Sequence, residues 1–323
     1  MDIEDNSMQK AKLVFQEVCK TVVGKDEIVL KILMAILANG HVLVEDIPGV
    51  GKTTMALSFA NALGLNCNRV QFTPDVMPSD VTGFNMYNKM TNKFEYKPGA
   101  VMCNIMLADE INRTSPKTQS ALLQVMEERC VTVDGATYEL PDPFIVMATQ
   151  NPFGSVGTQR LPESQMDRFM VCLSLGYPTI EDEIAILRGK QLNNNKRILS
   201  KKVLMPGELE KMRRTVSDVY VDDSIFEYVA RIAKATRESE DILQGISPRG
   251  SIAVIAMAKA EAFLRGNSYV LPADIQYVLK DTIAHRMVFD HSLRKSSLSE
   301  EKVIAGIVRK VPVPQIAKKE KAV

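Results

Sequence analysis

Lys52 and Thr53 sit near the end of residues 45–54, EDIPGVGKTT, where a short apolar run gives way to a helix-forming segment. Glycines at Gly49 and Gly51 let the backbone curl so that successive N–H groups point into one concavity, and the helix that follows adds the positive end of its dipole. Such a nest, with Val50 and Thr54 in its walls, holds phosphate. Lys52 then reaches the β and γ phosphates of a nucleoside triphosphate, and the Thr53 hydroxyl ligates Mg²⁺. One position departs from G-x-x-x-x-G-K-[ST], whose first glycine falls at Asp46. The other reading is an ordinary glycine turn before a helix, and the strand, loop, helix context favours phosphate.

A second group of residues supplies the chemistry such a loop lacks. In NIMLADEIN, residues 104–112, an apolar run ends in Asp109 and Glu110. Asp109 is placed to hold the metal through its waters, and Glu110 to orient and deprotonate an attacking water. Alone, acids ending a strand commonly cap a helix or line a solvated turn; downstream of a phosphate loop the catalytic reading prevails. Asn151, in ATQNP, offers an amide to the water or the γ-phosphate, or else only an Asn-Pro turn. Arg168 (in LPESQMDRFM) and Arg249 (in SPRG) carry the permanent charge and planar fork suited to a phosphoryl group. A lone arginine is more often a solvated surface residue, so residue chemistry by itself singles out neither.

The elements that must position these groups read as an α/β chain. HVLVE, NRVQF, NIMLAD, FIVMATQ and MVCLSLG are five short, nearly continuous apolar runs separated by helical segments, the pattern of parallel strands buried on both faces. A doubly wound parallel five-stranded sheet follows, with its ligand site at the carboxyl ends of the strands. Helical spacing marks residues 8–20 and 28–38 ahead of the first strand. Residues 83–99 and 130–140 interrupt the alternation as hairpins, the second turning at Asp134-Gly135. Ser115 and Pro116 open a helix through Glu128. From about Met205 strand signals stop, and amphipathic helices follow, one with Ile252, Ile255, Ala256, Ala260 and Phe263 on one face. The expected division is a nucleotide-binding core over 1–195, an all-α lid over 196–310 and a disordered tail over 311–323, with a polar linker at 192–202.

Composition excludes several classes. The 323 residues carry 40 basic and 39 acidic side chains, a net charge of +1 that provides no field for nucleic acid or an acidic membrane. Five cysteines, scattered and without a C-x-x-C pair, read as reduced thiols rather than as disulfides or a zinc site. The start is acidic and polar, and no apolar run approaches about 18 residues, so neither a signal peptide nor a transmembrane segment is expected. The expectation is a soluble, cytoplasmic protein.

Taken together the motifs resemble the MoxR family of AAA+ ATPases. The resemblance rests on VVGKDE, HVLVEDIPGVGKTT, RVQFTPDVMPSDVTG, MLADEINRTSPKTQSALLQVMEE, VTVDGATYELPDPFIVMATQNP, LPESQMDRF, GYPTIEDEIAIL and GISPRGS, in one order over residues 22–251. It implies a Walker A pair at Lys52 and Thr53, a Walker B pair at Asp109 and Glu110, a sensor 1 at Asn151 and a sensor 2 arginine at Arg249. It implies adenine contacts from Val22, Val23 and Gly24, and a trans-acting arginine finger at Arg168, with Arg160 the competing choice. The two hairpins match the helix-2 insert and the pre-sensor 1 hairpin of this branch, and the helical remainder its lid. The implied activity is ATP hydrolysis with Mg²⁺ in a homo-oligomeric, hexameric ring. It would act chaperone-like on a client protein, with a von Willebrand factor A domain partner and no nucleic acid. The alternative is a nucleic-acid motor or chelatase-type motor subunit, which share the helix-2 insert.

Overall fold

The structure is a computed structural model that describes residues 2–45, 51–151, 161–192, 200–290 and 299–315. Two helices, α1 (Asp2–Cys19) and α2 (Asp26–Leu37), precede β1 (Val42–Glu45). α1 begins ahead of the expected start near Met8. The chain continues through α3 (Lys52–Leu63), β2 (Cys67–Gln71), α4 (Pro78–Thr82) and the hairpin of β3 (Gly83–Asn88) and β4 (Lys93–Pro98). After β5 (Ile105–Asp109) and α5 (Pro116–Glu128) comes a second hairpin, β6 (Cys130–Val133) and β7 (Ala136–Glu139). β8 (Ile145–Gln150), α6 (Glu163–Met166), β9 (Val171–Leu173) and α7 (Ile180–Leu192) complete the core.

Five strands form one sheet in the order β2-β5-β8-β1-β9, every pair parallel. Alternation of side chains splits its two faces cleanly. Val42, Val44, Ile105, Leu107, Ile145 and Met147 join the core formed with α1, α2 and α3. Leu43, Met106, Ala108, Val146 and Ala148 join the one formed with α5. β2 departs from the buried-strand expectation: it lies at the sheet edge, and Asn68, Arg69 and Gln71 are exposed. Polar and charged side chains there discourage pairing with a foreign strand.

Local sequence explains the ends of the elements. The Ser115 hydroxyl accepts from Thr118 N–H at 3.3 Å and Pro116 takes the first helical position of α5. Asp134 and Gly135 both have positive φ, 48° and 83°, the tight turn that joins β6 to β7. The two hairpins lean on each other, with Tyr96 stacked on Tyr138 at 3.9 Å between centroids and Asn85 donating to Asp134 at 2.8 Å.

The lid comprises α8 (Glu208–Ser217), α9 (Asp223–Arg237), α10 (Pro248–Arg265), α11 (Pro272–Ile283) and α12 (Glu300–Lys310). It also carries a short antiparallel pair, β10 (Ile242–Gln244) with β11 (Val288–Phe289), which no sequence signal marked. The buried face of α10 differs from the expected one. Ile252 is 70% exposed, while Ala253, Val254, Met257 and Ala258 are buried. This helix packs on α8, α9 and α11 and also on α2, so its covered surface is broader and rotated. One apolar cluster runs from the sheet through α1 and α2 into the lid. The expected boundary at 195/196 falls outside the described residues, as do 316–323 of the expected tail; Val313 and its neighbours form no regular element.

All five cysteines are free, and burial pushes Cys19 and Cys103 up to about 12 and Cys67 to about 11, keeping those thiols protonated. Among the described residues no helix is long and apolar enough to cross a membrane.

Candidate functional site

β1 is buried and ends at Glu45, and α3 begins at Lys52, with residues 46–50 between them outside the described residues. Gly49 and Val50 lie outside the described residues, as does Arg160. Gly51 has φ of 96° and caps α3; a Cβ there would meet nothing within 4 Å, so dihedral freedom and not space requires glycine. Lys52, Thr53 and Thr54 form the first turn of α3, which contains no acidic residue. Its leading N–H groups and dipole therefore favour an anion.

Val22, Val23 and Gly24 lie where the chain passes α3 and α7. The Thr21 hydroxyl lies 2.6 Å from that of Ser58 on α3. Lys25 Nζ donates to the carbonyls of Gly176 and Tyr177 at 3.3 and 3.0 Å. Gly24, at φ 72°, meets α7 so closely that a Cβ would stand 2.1 Å from the Asp182 carboxylate. Asp182 was not anticipated from the sequence.

Asp109 and Glu110 stand at the carboxyl end of β5 within a linked set of polar side chains. Thr149 donates its hydroxyl to Asp109 Oδ1 at 2.6 Å and accepts from Glu110 N–H at 2.9 Å. Arg69 Nη2 donates to Asp109 Oδ2 at 2.8 Å and to Gln71 Oε1 at 2.9 Å. Gln71 passes the contact on, donating to Glu110 Oε2 at 2.9 Å, where Arg113 also donates at 2.6 Å. Glu110 has φ of 55°, an uncommon conformation for a non-glycine residue and one found at functional sites. Arg69, Gln71, Arg113 and Thr149 were missed. The one signal was the alternation of Arg69 and Gln71 along β2, whose register places Gln71 opposite Asp109.

Asn151 follows β8, and β8 lies between β5 and β1, so this residue stands between the acidic pair and the phosphate loop. Its carbonyl accepts from Asn112 Nδ2 at 3.3 Å. Asp109 and the Thr53 hydroxyl are hard oxygen donors of the kind magnesium takes, and they fit that ion.

The two arginines lie elsewhere. Arg168 Nη2 and Arg249 Nη2 meet on one carboxylate, Glu127, at 3.1 and 2.5 Å. Glu127 lies in the last turn of α5, beside Met126, whose carbonyl accepts from His41 Nε2 at 3.1 Å. His41 immediately precedes β1, and Arg168 precedes β9, so this cluster is at the amino edge of the sheet. The phosphate loop and acidic pair are at the carboxyl edge. Arg249 was expected to face the chain's own nucleotide; the structure instead puts it beside Arg168, across the sheet from Lys52. The lid docks through the segment carrying Arg168 and thereby sets where the first turn of α10 falls. Burial pulls His41 down to about 4, so the ring stays neutral, with Nδ1 accepting from Val146 N–H at 3.0 Å. It pins the end of α5 to the sheet.

Comparison with known proteins identifies the class. Residues 41–171 match the ATPase family associated with various cellular activities (AAA), and residues 234–306 match the AAA lid domain. A crystal structure of a candidate ATPase from Cytophaga hutchinsonii ATCC 33406 superimposes with a TM-score of 0.89 at 37% identity, over 97% of each chain. The molecule is thus an AAA+ core with a helical lid. The uncharacterized protein YeaC of Bacillus subtilis (strain 168) is 47% identical, over 93% of both chains. Chaperone MoxR1 of Mycobacterium tuberculosis is 38% identical over 93% of this chain and 81% of its own. The chain belongs to the MoxR family of AAA+ ATPases.

Proposed function

We propose that this chain hydrolyses ATP within a closed ring of identical subunits, each site completed by arginines from its neighbour. The observation that carries the reading is the division of charge across the sheet. Lys52, Thr53, Asp109, Glu110 and Asn151 stand at one edge, while Arg168 and Arg249 are gathered on Glu127 at the other. Within one chain these sets are too far apart to share a phosphate. A heterologous, head-to-tail contact between copies brings them together, and it makes a ring when its rotation closes. Family membership supports a ring, here a hexamer.

Lys52 and the first turn of α3 bind the phosphates. Glu110 orients the attacking water and takes its proton, and Asn151 hydrogen-bonds that water or the γ-phosphate. Thr53 and Asp109 would hold magnesium, which would supply positive charge to offset that of the phosphates. Val22, Val23 and Gly24 take the adenine, with Gly49, Val50, Gly51 and Thr54 around the phosphates. Arg168 is the finger, and Arg249 joins it against the neighbour's nucleotide. Arginine fingers contribute on the order of 10³-fold or more in rate.

The work performed is remodelling or activation of a client protein, chaperone-like, with a von Willebrand factor A domain partner, in the cytoplasm. Family membership supports this reading. A nucleic-acid or chelatase-type motor is the alternative, and ATPase stimulation by DNA or RNA would favour it.

Turnover per subunit measured across a dilution series, with assembly followed by light scattering, tests the ring. Turnover falls as the ring separates into monomers; constant turnover across that range overturns the proposal.

A further inference from the structure

Arg286 is 4% exposed, yet its side chain holds a charge and takes no part in the chemistry described above. It closes the short turn after α11 and spends its donors on two elements. Nε donates to Thr282 O at 2.8 Å, within the lid. Nη1 donates to Asp167 Oδ1 at 2.6 Å, and Nη2 to Phe169 O at 2.6 Å and Met170 O at 3.5 Å. Asp167 and Phe169 flank Arg168 directly. The neighbouring His285 adds Nε2 to the Phe169 carbonyl at 3.0 Å.

The Arg286 side chain and its partner also reach the chain on both sides of Arg249, at Ser247 and at Gly250. Asp167 Oδ2 accepts from the Ser247 hydroxyl at 3.0 Å, and that hydroxyl accepts from Gly250 N–H at 3.2 Å as the cap of α10. Arg286 Cδ packs on Gly250, where an added Cβ would lie only 3.3 Å away. The pair of Arg286 and Asp167 therefore anchors the side chain before Arg168, the carbonyl after it and the first turn that carries Arg249.

From this arrangement we infer that Arg286 is a positioning residue for both trans-acting arginines, tying Arg168 and Arg249 into one rigid unit that moves with the lid. The inference rests on the ring reading of the preceding section. A buried charge that loses its partner is uncompensated, so the pair resists opening and lid motion is transmitted to the arginines rather than absorbed. The consequence is directional: the lid of one subunit governs hydrolysis at its neighbour's site, not at its own.

Arg286→Met removes the guanidinium and keeps much of the stem. The variant is expected to bind a fluorescent ATP analogue as the native protein does, because its own phosphate loop is untouched. Its turnover falls about 100-fold, the cost of misplacing a catalytic group by about 1 Å. Mixing it with Glu110→Gln then separates positioning from damage. Arg286→Met has a competent site and misplaced arginines; Glu110→Gln has an inactive site and competent arginines. In a ring with random order, about a quarter of sites pair a competent Glu110 with a competent neighbour, so the mixture regains about a quarter of native turnover. A mixture of Arg168→Ala with Glu110→Gln is the benchmark.

Recovery in the benchmark without recovery for Arg286→Met overturns the inference, as does native turnover of Arg286→Met alone. Failure of the benchmark itself overturns the ring reading and this inference with it. Ser247→Ala, which removes one bond to Asp167 and disturbs the core less, gives the same pattern with a loss of roughly tenfold. Should Arg286→Met fail to assemble, that variant decides by the same mixing outcomes.

Discussion

His41 and His285 show at the scale of single residues how the edge carrying the arginines is kept in place. Burial pulls them down to about 4 and about 3, so both remain neutral in the folded protein. His41 can donate through one ring nitrogen to Met126 O and accept through the other from Val146 N–H only in that form. Unfolded histidine takes up a proton near pH 6.5, so between that value and the folded value the unfolded state binds more protons. Stability therefore rises with pH in that window and is lost as pH falls from 6.5 toward 4. For His41 the loss amounts to roughly 3 kcal/mol. Chemical unfolding at pH 7.5 and pH 5 spans about 1.5 units of that window and should read roughly 2 kcal/mol from His41; His41→Gln should lessen the dependence to the part due to His285, and an equal slope in that variant would contradict the assignment. The acidic pair was legible in the sequence because Asp109 and Glu110 end an apolar run. Their partners Arg69 and Gln71 were not, because opposition of β2 and β5 is a property of the folded sheet.

At the scale of elements, the turn from β1 into α3 matters most, and its signal was local. Gly51 stands at φ 96°, where a side chain is strained whatever the surrounding space. Gly51→Ala should cost about 1–2 kcal/mol in the conformation that holds phosphate, seen as a roughly tenfold weaker affinity for Mg·ATP. Titration with a fluorescent analogue measures this, and unchanged affinity would remove Gly51 from the nest. The cap at Ser115 and the turn at Asp134-Gly135 were equally legible, since each needs only its near neighbours. The buried face of α10 was misjudged at Ile252, because α2 of the core covers a side of that helix that its own periodicity leaves open.

For the whole molecule the decisive fact is which edge of the sheet each charge occupies. Sequence order brought Lys52, Asp109 and Asn151 to one edge because each follows a strand of the same parallel sheet. It could not place Arg249, because the start of α10 is tied to Asp167 through Ser247, 80 residues away along the chain. In the proposed ring, the edge that carries Lys52 and Asp109 meets the edge that carries Arg168 and Arg249 of a second copy. That claim is tested most directly by mixing Arg168→Ala with Glu110→Gln, each nearly inactive alone. The account predicts that the mixture hydrolyses ATP at about a quarter of the native rate, through sites that join one chain's Glu110 to another's Arg168. A mixture that assembles and binds nucleotide yet stays as inactive as its components would contradict it.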